Sequence, residues 1–132
     1  MRGRWLALTA WLVVVLLNSS VASSSLDAAA PISTLLSKAG HVVEYGVLGY
    51  LLWIATAEAV GNIGLCPAGW PLAVIAAGTL FAVLDELRQL FVAGRFASVT
   101  DIALDVAALG AVVLIQQRRT LKQTPDHQSD LN

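Results

Sequence analysis

Four long runs of apolar residues alternate with short stretches of small and polar residues along the chain. The runs cover about residues 5–17, 38–57, 71–84 and 102–115. Pro31 suits the first turn of a helix, so the second helix is predicted to begin near it. Repeated apolar runs of this kind indicate an integral membrane protein. The pattern predicts an all-α, polytopic membrane helix bundle with four transmembrane helices.

The first run has a second interpretation. Arg2 and Arg4 precede it and NSSVASSS follows it, which also fits a secretory signal peptide with a small-residue cleavage site. The run is short for a span, which needs ~20 residues, although residues 18–22 can complete it. The sequence favours a retained helix, whereas cleavage would leave three transmembrane helices.

Composition narrows the class of protein. A mean hydropathy of +0.72 argues against a water-soluble domain, and a formal net charge of −1 gives no reason to expect nucleic acid as a partner. Cys66 is the single cysteine, which excludes an internal disulfide and a cysteine-based metal site. No spacing resembles a nucleotide-binding loop, a dinucleotide fingerprint or a zinc site, so the sequence predicts neither a cofactor nor a metal.

Basic residues predict the orientation in the membrane. Five of them lie outside the first and last apolar runs: Arg2, Arg4, Arg118, Arg119 and Lys122. The positive-inside rule then places both termini in the cytoplasm, in a multi-pass protein of the cell's inner (cytoplasmic) membrane. The transmembrane domain is predicted over residues 1–117, and residues 118–132 are predicted to be a disordered cytoplasmic tail.

Charge is concentrated in one stretch, residues 85–105. Six of the 17 charged residues lie there: Asp85, Glu86, Arg88, Arg95, Asp101 and Asp105. If the third helix starts at Pro71, Asp85 lies ~21 Å along it, roughly 9 Å short of the outer surface of a ~30 Å apolar core. Ionised carboxylates facing lipid there would be costly, so Asp85 and Glu86 are expected to face the bundle interior or a wet cleft.

Polar residues on two other helices recur at a matching depth. The second helix carries a row spaced three and four apart: Lys38, His41 and Tyr45. The fourth helix repeats the spacing: Ser98, Asp101 and Asp105. Residues at these intervals share a helix face. With Gln89 from the third helix, the rows predict a polar pocket in the outer leaflet rather than a channel, although Tyr45 is also a typical packing residue.

The carboxylates and the histidine each have two interpretations. Asp85 and Glu86 can act as a general acid and base, one of them protonated because two close carboxylates resist joint ionisation. Alternatively, Asp85 pairs with Arg88 or Arg95 and closes the outer end of the bundle. His41 can shuttle protons, or donate one hydrogen bond to a carboxylate and join two helices.

The basic and hydroxyl residues are open in the same way. Lys38 can bind a phosphate or simply extend to the membrane interface. Arg95 is the best single candidate for an anionic headgroup, because a guanidinium binds phosphate bidentately, but pairing with Asp101 or Glu86 is an equal alternative. Ser98-x-x-Asp101 closely matches a helix capping box.

Three short motifs contain most of these residues. They are KAGHVVEY at the start of the second helix, DELRQ at the end of the third and GRFASVTD before the fourth. Their order resembles that of the VanZ-like family of small bacterial integral membrane proteins, over about residues 36–112. The chain departs from the family pattern at Asp105, where the family usually has Asn, and at Ala93, where it commonly has proline. The resemblance implies a four-helix protein of the cell envelope, in a family whose founding member is associated with teicoplanin resistance.

The first functional hypothesis is a non-enzymatic envelope protein. It would bind a membrane lipid, a lipid-linked cell-wall precursor or a lipid-tailed glycopeptide from the outer leaflet, which links it to glycopeptide antibiotic resistance. The predicted ligand-binding residues are Lys38, His41, Tyr45, Asp85, Glu86, Gln89, Arg95, Ser98 and Asp101.

Two other functions remain open. One is a membrane enzyme acting on a lipid phosphate or glycan, with Glu86 or Asp85 as base and His41 as acid. The other is a structural role, in which the charged residues set helix register in a homo-oligomer or with a membrane protein partner.

Overall fold

The computed structural model describes residues 2–20, 31–62, 69–92 and 97–123, and these ranges contain helices and no strand. The helices are α1 (Arg2–Ser20), α2 (Pro31–Asn62), α3 (Trp70–Gln89) and α4 (Val99–Gln123). By length and composition, α1, α3 and α4 are able to cross a membrane. The 32-residue α2 is the longest helix and packs against each of the other three. The predicted all-α membrane helix bundle is confirmed.

The helices extend beyond the apolar runs that predicted them. As predicted, α2 begins at Pro31. However, α4 continues to Gln123, so residues 118–123 are helical, whereas the sequence placed the start of the tail at residue 118. Arg, Leu, Lys and Gln are strong helix formers, and they let the helix continue where its hydropathy falls. Residues 124–132 lie outside the described ranges.

Helices that are consecutive in the sequence alternate in direction. The indole of Trp11 donates to the backbone oxygen of Glu44 over 2.9 Å, and Arg4 donates to that of Ile54 over 3.2 Å, so α1 and α2 are antiparallel. The rings of Trp53 and Trp70 pack with centroids 4.0 Å apart, which places the start of α3 beside the later half of α2. The start of α4 lies beside the first half of α2, so these two helices are parallel.

This arrangement gives the bundle two different ends. At one end, α1 and α3 finish while α2 and α4 begin; we call it the cluster end. The other end, the basic end, holds five basic residues: Arg2, Arg4, Arg118, Arg119 and Lys122. Both ends of the described chain lie at the basic end.

Small residues allow α2, α3 and α4 to meet around one leucine. Leu109 of α4 is fully buried. A Cβ at Gly49 of α2 would lie 3.1 Å from the Leu109 backbone oxygen, and one at Gly78 of α3 would lie 2.0 Å from its Cδ1. A side chain at position 49 would crowd the Leu109 backbone and one at position 78 would displace the Leu109 side chain, so both glycines allow the close approach that is usual between helices in lipid. This close packing below the cluster end fixes which faces of α3 and α4 turn toward α2.

Candidate functional site

The buried polar side chains of the described chain collect at the cluster end. They are Ser19, His41, Asp85, Glu86, Gln89 and Asp105. The sequence predicted that Asp85 and Glu86 would face the bundle interior, and their exposures of 3% and 1% confirm this. The hydrogen bonds separate the polar residues of this end into two groups.

The first group, which we call the α1 clamp, consists of Ser19, Ser20, Asp85 and Arg88. The Ser19 hydroxyl donates to Asp85 Oδ1 over 2.7 Å, and Arg88 Nη2 donates to the same oxygen over 3.2 Å. Arg88 also bonds both serine hydroxyls and, over 3.0 Å, the backbone oxygen of Leu16. Its charge therefore lies at the carbonyl end of α1, where a cation is favourable. Of the two interpretations of Asp85, the ion pair with Arg88 is the one that the described residues form.

The second group, which we call the polar cluster, joins α2, α3 and α4. Its members are Lys38, His41, Glu86, Ser98, Asp101 and Asp105. Glu86 Oε2 accepts the backbone N–H of Ser98 over 2.8 Å, and the Ser98 hydroxyl accepts the N–H of Asp101 over 3.3 Å. Ser98 thus caps α4 as predicted, but Glu86 of α3 fills the position that the acidic residue of a capping box normally takes. The start of α4 is therefore attached to the end of α3.

Two pairs join α2 to α4 at successive depths. Lys38 Nζ donates to Asp101 Oδ1 over 2.8 Å, with 36% and 19% of the two side chains exposed. One turn further in, His41 Nδ1 lies 3.1 Å and 3.3 Å from the carboxylate oxygens of Asp105, and both side chains are buried. The predicted match in depth between the rows of α2 and α4 is confirmed. The polar cluster is accessible at its rim and closed below it.

Asp105 is the residue whose role the sequence left undefined. Its carboxylate contacts the His41 imidazole, and its side chain is 1% exposed. Asp101 and Asp105 lie four residues apart on α4, and their partners Lys38 and His41 lie three apart on α2. Each pair therefore occupies one helix face, and this periodicity is the sequence signal for the contact.

Gln89 and Tyr45 lie beside the polar cluster. Gln89 Nε2 is 3.4 Å from Asp85 Oδ2 and 3.3 Å from Glu86 Oε1, so it bridges the α1 clamp and the polar cluster. Tyr45 packs against Phe81 and is 1% exposed. Its hydroxyl is buried, and none of the residues that the structure describes forms a hydrogen bond with it.

The geometry redistributes the predicted ligand-binding residues. Asp85 belongs to the α1 clamp, while the remaining described candidates form or border the polar cluster. Arg95 lies outside the described residues. The sequence did not single out Ser19 or Ser20, because the apolar run that predicted α1 ended at residue 17 and nothing in it marked a neighbour for the serines.

The arrangement offers acid–base groups and a set of metal-ligand atoms. Three of its residues, His41, Glu86 and Asp101, each place one such atom within 4.8 Å of the other two. Within the described ranges, the polar cluster contains three carboxylates, one ammonium and one imidazole, so acidic groups are in excess.

Sequence comparisons agree with this architecture. The family model described as VanZ/LLP1 matches residues 4–117, which include most of α1, all of α2 and α3, and most of α4. Neither a curated protein nor a solved structure matches the sequence. The match spans most of the chain and contains every residue of the α1 clamp and the polar cluster. The chain is a multi-pass membrane protein that belongs to the VanZ/LLP1 family.

Proposed function

We propose that this VanZ/LLP1-family membrane protein binds a lipid-linked or amphiphilic anionic ligand at its polar cluster. The observation that carries the proposal is the gradient of exposure across the polar cluster. Lys38 and Asp101 are partly exposed at the rim, whereas His41, Glu86 and Asp105 are buried beneath them. Buried ionisable groups within membrane helices are costly and usually mark a functional site.

The chemistry of the polar cluster favours a ligand with two kinds of polar group. The Lys38 ammonium is at the rim and suits a phosphate or carboxylate. Arg95, three positions before Ser98 in the sequence, supplies a second cation for the same purpose. The carboxylates below would repel an anion but accept hydrogen bonds from hydroxyl, amide or amine groups. A lipid-linked cell-wall precursor, with its phosphate, sugar and peptide, combines these properties.

The proposed orientation places the cluster end in the outer leaflet of the inner membrane. The five basic residues at the opposite end support a cytoplasmic location for the basic end. The outer side of the membrane is also where a glycopeptide would meet its target. We therefore extend the proposal to glycopeptide (teicoplanin-type) resistance. Expression in a susceptible bacterium that lacks an outer membrane should lower its susceptibility to teicoplanin, and Glu86→Gln should remove this protection.

Native mass spectrometry of protein extracted with its surrounding lipid tests the binding step. The wild type should retain a specific anionic lipid that both Glu86→Gln and Arg95→Ala lose. Glu44→Gln and Arg119→Ala are matched controls, because Glu44 bonds Asn18 of α1 and Arg119 lies at the basic end. If the wild type and all four variants fold and retain the same lipids, the proposal is overturned and a structural role for the polar cluster is favoured.

One observation favours a second candidate, a membrane enzyme acting on a lipid phosphate or glycan. The Asp105 carboxylate holds His41 through Nδ1, an arrangement that orients an imidazole for proton transfer through its other nitrogen. Glu86 is the nearby base in this candidate. Incubation of the purified protein with candidate lipid precursors, with and without divalent metals, tests it by product analysis, and unchanged precursors would exclude it.

A further inference from the structure

The polar cluster contains three residues from three helices whose side chains converge on one point. His41 of α2, Glu86 of α3 and Asp101 of α4 each offer a ligand atom, and these atoms lie within 4.8 Å of one another. Ligands held ~2.1 Å from a tetrahedral Zn²⁺ ion lie roughly 3.4 Å apart, so closing the three atoms onto one ion takes movements of about 1 Å or less. No sequence motif predicts such a set, because its members are distant in the chain.

The carboxylate of Asp105, which contacts His41, is the kind of group that commonly supports a metal-binding histidine. Metal-bound histidines usually donate their second ring N–H to a carboxylate, which fixes the tautomer and turns the other nitrogen toward the metal. Asp105 contacts His41 Nδ1 in this manner and is itself buried, so Nε2 is left as the ligand atom.

Tyr45 supplies an independent indication of a ligand. Its hydroxyl is buried and has no hydrogen-bond partner among the residues that the structure describes. Tyr45 lies four residues after His41, on the same face of α2, and its ring packs against Phe81 of α3, so its side chain lies beside the polar cluster. Leaving a buried hydroxyl without a partner is unfavourable, and a metal-bound water would satisfy it.

We propose that His41, Glu86 and Asp101 bind one divalent transition-metal ion, Zn²⁺ or Mn²⁺, with Asp105 positioning the imidazole. One imidazole and two carboxylates suit these transition-metal ions. Mg²⁺ and Ca²⁺, by contrast, prefer ligand sets made only of oxygen atoms. Three protein ligands leave a coordination position open for water or for an oxygen of a bound molecule. The sequence alone predicted no metal. The metal site is also independent of the proposed lipid ligand.

The test is isothermal titration of Zn²⁺, and then Mn²⁺, into the full-length protein in lipid-free detergent, purified without a histidine tag and stripped with chelator. The wild type should bind one Zn²⁺ per chain. Folded His41→Gln and Glu86→Gln should each weaken binding more than 100-fold, and Asp105→Asn by about 10- to 100-fold. Glu44→Gln, Cys66→Ser and His127→Ala should bind like the wild type. This result would exclude Cys66, the single cysteine, and His127, the second histidine, as metal ligands.

Lys38→Met keeps the proposal testable if the ligand variants do not fold. The Lys38 ammonium contacts Asp101 and competes with a metal ion for it, so its removal should tighten Zn²⁺ binding by about three- to tenfold. The proposal is overturned if the wild type binds neither ion stoichiometrically, if binding survives in the ligand variants, or if Lys38→Met binds no more tightly. Lipid retention is measured separately without added metal, so either proposal can fail while the other holds.

Discussion

The α1 clamp and the polar cluster begin at adjacent residues of α3 and have opposite character. Asp85 is paired with one arginine and one serine hydroxyl, and the same arginine bonds the carbonyl end of α1. Glu86 faces the other way, toward the start of α4 and His41 of α2, among carboxylates that outnumber the nearby cations. The clamp is therefore balanced in charge, although Arg88 Nε is buried without a partner among the described residues, whereas the polar cluster carries an excess of acid.

The difference separates structural burial from functional burial. A buried charge with its partners in place contributes to the packing of α1 and calls for no ligand. A buried acidic excess beneath a partly exposed rim is costly unless a cation or hydrogen-bond donor arrives. On this reasoning, changes in the α1 clamp should mainly alter stability, and changes in the polar cluster should mainly alter binding.

The largest loss of stability is expected for Arg88→Met. The substitution leaves the Asp85 carboxylate buried without its cation and removes the bond to the Leu16 carbonyl. Breaking a buried pair costs roughly 3–5 kcal/mol, and the 34% exposure of the Arg88 side chain places the expected loss lower, at about 2–3 kcal/mol. Chemical unfolding in detergent, followed by tryptophan fluorescence, measures the change.

A double variant sharpens this test. Asp85→Leu added to Arg88→Met removes the uncompensated charge and should recover part of the lost stability, while Arg119→Met at the basic end should change little. If Arg88→Met unfolds like the wild type, the clamp does not stabilise the bundle and its contrast with the polar cluster is lost.

The sequence predicted much of the polar cluster but little of the α1 clamp. The rows of α2 and α4 were predicted to lie at a matching depth, and they meet because these two helices are parallel. The sequence did not pair His41 with Asp105 in particular. Asp85 and Glu86 point about 100° apart, and which of them faces α1 depends on the rotation of α3. That rotation is set by packing such as that of Gly78 against Leu109, which no local pattern reveals.

A smaller loss of stability is expected for Ser98→Ala. The substitution removes the hydroxyl that caps α4 but keeps the backbone N–H that donates to Glu86. Loss of an N-cap costs about 1 kcal/mol, whereas Ser98→Asn, which retains a capping oxygen and adds no charge, should unfold nearly like the wild type. Thermal unfolding followed by circular dichroism compares the two. Equal loss in both variants would show that the serine acts through something other than its cap.

The smallest change in stability, and the clearest separation of the two regions, is expected for Lys38→Met. Its ion pair with Asp101 is partly exposed, and such pairs contribute at most about 1 kcal/mol, so unfolding should change by less than that. Lys122→Met at the basic end is the matched control. Retention of the anionic lipid in native mass spectrometry should nevertheless fall, because the rim loses a cation that an anionic group would contact. A lysine that merely extends to the interface would leave lipid retention unchanged, as the control should. Lipid loss without loss of stability would therefore assign Lys38 to the ligand rather than to the bundle, the reverse of the result expected for Arg88.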